Sequence, residues 1–180
     1  MPPSVVQQIY PAAPDLHLLT STPLFRMYGV WEHAWWTAAD KTVDDELGWI
    51  IPVGERALMI SYTDGDLARH WYRMREARGE PETQAALLHR LRHVFPDRRI
   101  PDPSTCTYHY WPEGVHFFQP RTDPRTDKQL VRQWTHGAVP LVGEAYALQH
   151  GWVEGALSTA CSAVKAIKSS TTHREKMLPE

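Results

Sequence analysis

The 180-residue chain is poor in the features that usually assign a function. It has two cysteines, Cys106 and Cys161, without CxxC spacing, which excludes a disulfide framework and a cysteine zinc site and suits a reducing compartment. No stretch approaches the roughly 18 consecutive apolar residues of a spanning helix, and no basic segment followed by an apolar run opens the chain. A soluble, cytoplasmic protein without a membrane role is therefore expected. A strong excess of one charge is also missing: the formal net charge is −2, with 22% charged residues. That balance gives no nucleic-acid or anionic-membrane signal and leaves room only for local basic patches such as Arg90–Arg99. The motifs GxSxG, GxxxxGK[ST] and GxGxxG do not occur, so serine hydrolysis, Walker-type phosphoryl transfer and autonomous dinucleotide binding have no support. Internal repeats and low-complexity tracts are absent too.

What is present is ordinary globular composition, 42% hydrophobic, at a length that suits one domain with a real core. Prolines 2, 3, 11, 14 and 23 rule out a long helix over residues 1–23 and predict an extended arm. Leu24–Trp31 is β-rich, and Trp49–Val53 with Ala57–Thr63 reads as a hairpin around Gly54, Glu55 and Arg56. Asp64 is placed to cap a helix bearing Leu67, Ala68, Trp71 and Met74 at helical spacing. Gly79 and Pro81 separate it from a second helix bearing Leu87, Leu88, Leu91 and Phe95. These two amphipathic helices should cover one sheet face.

After a proline-rich turn, Thr105–Trp111 alternates as a strand, and Gly114–Phe118 continues it past a kink at Pro112. Ala138–Val142 reads as a short buried strand. Val153, Ala156, Leu157, Ala160, Val164 and Ile167 form the apolar stripe of a last helix, and the tail from Ser169 reads as disordered. The fold class expected is α+β, a mixed sheet flanked by helices.

His89 and His93 have the i, i+4 spacing of a two-histidine metal site. With no glutamate in the zincin position, no third ligand in view and arginines at 90 and 92, they read as surface residues, and no metal site is assigned. The eight tryptophans are read mainly as core residues, Trp31, Trp49 and Trp71 by default. The run GEAYALQHGWVEGAL, Gly143–Leu157, is more informative. It sets Gly143-Glu144, a short connection, Gly151-Trp152 and a helix start at Val153 in one order. Glycines permit close approach, and the free N–H groups of a helix start suit a pyrophosphate or an electron-rich ring edge.

With PLFRMYGVW and the Trp35-Trp36 pair, ALMISYTDGDLARHW and WPEGVHFF, this run makes the chain resemble the C-terminal portion of the flavin-dependent amine oxidases, from about Pro23 to Ile167. The stretch LMISYTDGDLARHW is most similar to amine-oxidase-like proteins of large DNA viruses, which would add the virion as a location. The resemblance implies that residues 24–118 are the substrate-domain part and residues 138–168 the last strand and helix of an FAD domain. It places Arg26 where many members have a lysine that holds a water near flavin N5, and a guanidinium cannot take that point-charge role. Trp152 and His116 fall at the two aromatic walls that align the amine. Val115 falls where some members attach flavin through cysteine. Gly143, Glu144, Trp152 and Val153 match flavin contacts, Glu144 toward the ribityl-phosphate region and Val153 at the ring's pyrimidine edge.

No segment supplies the family's glycine-rich βαβ unit. The first reading is therefore a truncated, catalytically inactive component that binds no cofactor alone and forms a homodimer through its C-terminal strand and helix. The alternative is one half of a flavin-dependent amine oxidoreductase, the FAD-holding part coming from a partner flavoprotein chain. A third reading is a small-ligand pocket around Trp111, His116 and Trp152.

Overall fold

A computed structural model describes residues 18–119, 129, 132 and 140–175, with 170–175 by backbone alone. Most of the expected N-terminal arm lies outside the described residues. The chain divides into two compact units, residues 22–114 and residues 1–21 with 115–180, each with its own packing.

Five strands, β1 (Leu19–Val30), β2 (Thr42–Asp44), β3 (Gly48–Pro52), β4 (Ala57–Asp64) and β5 (Thr105–Phe118), form one sheet in the order β2-β3-β4-β1-β5. The pairs β1–β4, β3–β4 and β2–β3 are antiparallel, where a mixed sheet was expected. The short β2–β3 and β3–β4 connections require this, since parallel neighbours need a long crossover. β1 starts five residues earlier than Leu24; its pairing with β4 begins only at Leu24↔Asp64, so the missing N–H of Pro23 breaks no bond to that neighbour. Likewise β5 is one continuous strand through Pro112, which an edge strand tolerates because one side has no ladder to complete.

Alternation along the strands sends Phe25, Met27, Ile50, Leu58 and Ile60 to one face. Two helices, α1 (Gly65–Arg78) and α2 (Glu80–Val94), lie against that face and contribute Ala68 and Trp71, and Leu87, Leu88 and Leu91. Trp31 closes one end of the core, its indole N–H donating to the Pro101 carbonyl at 2.9 Å, while Trp35 and Trp36 pack edge-on against it. Trp49 departs from its expected core placement: it is 46% exposed because its neighbour Ile50 takes the inward position, and Lys41 lies over its ring at 5.0 Å.

The helix ends follow local chemistry. Asp64 occupies the N-cap of α1, but its side chain makes no capping bond, contrary to expectation. Gly79 ends α1 at φ +84°, a conformation that favours glycine, and Pro81 sits in the first turn of α2. Strand β2 was not anticipated from the sequence. A turn organised by Asp44 creates it: one carboxylate oxygen accepts the N–H groups of Glu46 and Leu47, and Gly48 follows at φ +64°.

Arginines account for much of the apparent basic patch at Arg90–Arg99. Arg90 grips Asp44 at 2.7 Å, Arg92 reaches Asp102 at 2.7 Å, and Arg98 holds Asp40 through both guanidinium nitrogens. Arg98, with the Thr37 N–H, holds the Asp40 carboxyl down at about 2. Burial works to raise Asp44, but Arg90 and the Leu47 and Glu46 N–H groups outweigh it and bring that carboxyl also to about 2. His89 and His93 are exposed on α2.

In the second unit the Leu18 carbonyl accepts the Gln119 N–H at 2.8 Å beyond the ends of β1 and β5. The expected strand Ala138–Val142 is partly outside the described residues, and Pro140–Val142 are irregular; Pro140 has no N–H to give a ladder. A short 3-10 turn, Glu144–Tyr146, precedes the last helix, α3 (Val153–Glu175), which runs on past Ser169. The packed face of α3 is not the predicted apolar stripe. It consists of the small residues Gly155, Thr159 and Ala163, because the 143–149 segment approaches so closely that a Cβ on Gly155 would collide with the Gln149 carbonyl.

Candidate functional site

The candidate residues of the second unit cluster around Glu144. Gly143, at φ +136°, turns the chain into the 3-10 turn, and its N–H donates to Thr159 Oγ1 at 3.0 Å. Thr159 is 2% exposed on the small-residue face of α3, so the helix anchors the Gly143-Glu144 step directly. Glu144 then spends both carboxylate oxygens inside the unit. Oε1 lies 2.6 Å from His116 Nδ1 on β5, and Oε2 accepts the Gly151 N–H at 2.8 Å. Gly151 takes φ +76°, with Val115 beside it. One carboxylate thus ties the end of β5, the 3-10 turn and the entrance to α3 together.

His116 is tucked in rather than displayed, its side chain only 15% exposed. The neighbouring aromatics Phe117 and Phe118 pack around His150, with the Phe118 and His150 rings 4.6 Å apart and nearly perpendicular. Trp152 is the opposite case, 71% exposed at the start of α3 with Val153 and Glu154. The first N–H groups of a helix have no intrahelical acceptors, so this end presents donors and a partial positive charge. A cavity of about 230 Å³ lies against the small-residue face, lined by Leu148, Gln149, Ser158, Thr159 and Ser162 among others; Trp152 and His116 do not line it.

Arg26 belongs to the other unit, on the sheet face away from α1 and α2. Its guanidinium lies 4.3 Å from the Tyr62 ring centroid and 5.6 Å from that of Trp111, and Trp111 stacks on His109. Tyr28 extends this aromatic face by meeting His109 edge-on. No carboxylate pairs with Arg26 among the described residues, and its Nε is buried without a hydrogen-bond partner. Burial works against the charge, but the side chains of Tyr62 and Tyr28 outweigh it and leave the Arg26 pKa above its ordinary value. The guanidinium is a caged, permanent cation, unlike a mobile lysine ammonium.

The Glu144–His116 contact was not foreseen. No local pattern signals a pairing 28 residues apart, whereas glycines at 143 and 151 mark left-handed turns that sequence reading can find. Among the described residues no group of three or more metal-ligating side chains occurs, and no helix is long and apolar enough to cross a membrane.

The residues bear on a flavin in two ways. The exposed start of α3 presents N–H donors of the kind that suit the electron-rich edge of a flavin ring, whereas Glu144 already holds His116 and Gly151 through its two oxygens, each of which keeps one further acceptor site. No curated protein matches the chain. The model of the flavin containing amine oxidoreductases matches residues 16–168, which takes in the whole span that carries the ordered motifs, and the chain belongs to that family.

Proposed function

We propose that this chain is an amine-oxidase-like binding component without oxidase activity of its own. In this reading residues 24–118 are its substrate-side part and residues 138–168 its flavin-ring part. The observation that carries it is the Glu144 clasp: a carboxylate expected to serve a cofactor is held within the chain by His116 Nδ1 and the Gly151 N–H. The caged Arg26 supports the same reading, since a guanidinium between Tyr62 and Trp111 cannot replace a lysine that positions a water. The test is the visible spectrum of the purified chain after incubation with excess FAD and removal of free cofactor. A colourless protein is expected. A stoichiometric flavin band, with hydrogen peroxide formed from an added amine, overturns the proposal.

A second reading is favoured by the exposed Trp152 and open start of α3: a flavin-binding partner chain completes the site. A bound flavin supplies the hydride acceptor for amine oxidation. This chain would contribute the Val153 end of α3 to the ring edge and the Trp152 indole as a wall for the neutral amine. Peroxide formation by a co-purified pair, lost on Trp152→Ala, supports this reading. Failure of any flavoprotein to co-purify eliminates it.

A further inference from the structure

The sheet face turned away from α1 and α2 carries a cation that its own unit does not neutralise. Arg26 and Tyr62 are cross-strand partners on β1 and β4, within the compact unit of residues 22–114 that also holds Tyr28, His109 and Trp111. Four other arginines of that unit, Arg75, Arg90, Arg92 and Arg98, each reach a carboxylate oxygen at 2.7 Å or less. Arg26 meets no carboxylate among the described residues, and the acceptors beside it are the uncharged phenols of Tyr62 and Tyr28. The residue is half-buried, and of its three nitrogens Nε alone is buried without a hydrogen-bond partner, so the forked Nη end is the part that faces out.

The chemistry of the fork and of its surroundings selects the ligand. A carboxylate accepts guanidinium N–H groups about twice as strongly as a neutral oxygen does, and its two oxygens match the fork. One positive charge in an aromatic setting is balanced by one negative charge, whereas a phosphate dianion would leave a charge over. Beside the cation lies an exposed aromatic shelf. Trp111 is 40% exposed with its ring centroid 5.6 Å from the guanidinium, His109 stacks on it at 5.5 Å, and Tyr28 meets His109 edge-on at 6.0 Å. A flat apolar body attached to the carboxylate can stack on that shelf. An ammonium ion brought to the same place is repelled by the guanidinium.

We infer that Arg26 and Trp111 hold a small aryl-substituted carboxylic acid, its carboxylate on the Arg26 fork and its ring on the Trp111–His109 shelf. The acid supplies a ligand class for the binding role proposed above; a flavin band in the visible spectrum would overturn that role without bearing on the acid.

The experiment titrates the full chain with hydrocinnamate at low salt and follows the Trp111 indole and the Arg26 and Tyr62 amides by proton–nitrogen NMR. Saturable shifts confined to this face are expected. Hydrocinnamide, the neutral twin, and phenethylamine, the cationic one, should not saturate it. Arg26→Gln should weaken binding by about tenfold or more, the loss of a charge-assisted hydrogen bond, with unchanged Trp31 and Trp71 indole signals showing that the core is intact. Arg26→Lys keeps the charge without the fork and should fall between the two. Trp111→Ala, at an exposed position, should weaken the acid while leaving the core signals in place. The inference is overturned if hydrocinnamate gives no saturable shift, if hydrocinnamide or phenethylamine binds as well as the acid, or if Arg26→Gln binds like the parent. Saturation by a glutamate-containing peptide but not by hydrocinnamate overturns it too, and assigns the carboxylate to a protein partner.

Discussion

Replacing Thr159 by valine keeps the shape of a side chain that is 2% exposed and deletes only its hydroxyl. That oxygen is the acceptor for the Gly143 N–H at 3.0 Å, and its own proton points back to the Ala156 carbonyl at 2.9 Å or the Gly155 carbonyl at 3.2 Å. The two carbonyls lose little, because helix N–H groups one turn on already satisfy them. The Gly143 N–H has no such alternative, and an orphaned, partly buried donor costs about 1–3 kcal/mol. The loss is local to the step that sets Glu144 in place, so amide exchange at Gly143 should report it better than global unfolding. Converted at 1.4 kcal/mol per tenfold, the protection of that amide should fall by about 5–150-fold. Thr159→Ser keeps the oxygen and should stay near the parent. Protection in Thr159→Val within about 2-fold of the parent, the scatter of neutral substitutions, would refute the anchoring role. So would a serine variant that exchanges as fast as the valine one.

Asp40 and Asp44 titrate at about 2 in the folded chain against an ordinary 3.8, so their pairing with Arg98 and Arg90 stabilises fully above 3.8 and is lost as pH falls toward 2. The unfolding midpoint should therefore drop across that window, and Asp44→Asn should show a shallower drop; equal slopes for parent and variant would contradict the assignment. Gly48→Ala should destabilise by more than about 1 kcal/mol in chemical denaturation, because φ is +64° and the new methyl meets the Tyr62 carbonyl. Ile60→Ala, fully buried on β4 beneath both helices, should cost about 2–5 kcal/mol by the same measurement, and a loss below 1 kcal/mol would mean that the site is not packed as described.

Local signals made much of the fold legible. Helical spacing located Trp71 and Leu87, Leu88 and Leu91, a β-rich run located most of β1 and a hairpin pattern located β4, and Gly79 with Pro81 marked the break between the helices. Where the reading failed, the information was not local. β2 contains only Thr42, Val43 and Asp44, too short a run to register as a strand, and it exists because Asp44 folds the following turn and Arg90 of α2 grips it. Asp64 has the right residue type for a cap, yet its side chain makes no capping bond.

The candidate site divides the same way. By itself the sequence determined the order of motifs, the glycines at 143 and 151, the helix start at Val153 and the apolar stripe of α3, since each is set by neighbours within a turn or two. Only the tertiary structure decided that Glu144 binds His116 and Gly151, that Arg26 sits between Tyr62 and Trp111, and that α3 packs through Gly155, Thr159 and Ala163. Periodicity groups residues onto a face. Which face is covered depends on how closely another segment approaches, and here the 143–149 segment comes near enough that only small residues fit beneath it, leaving the larger apolar side chains outside.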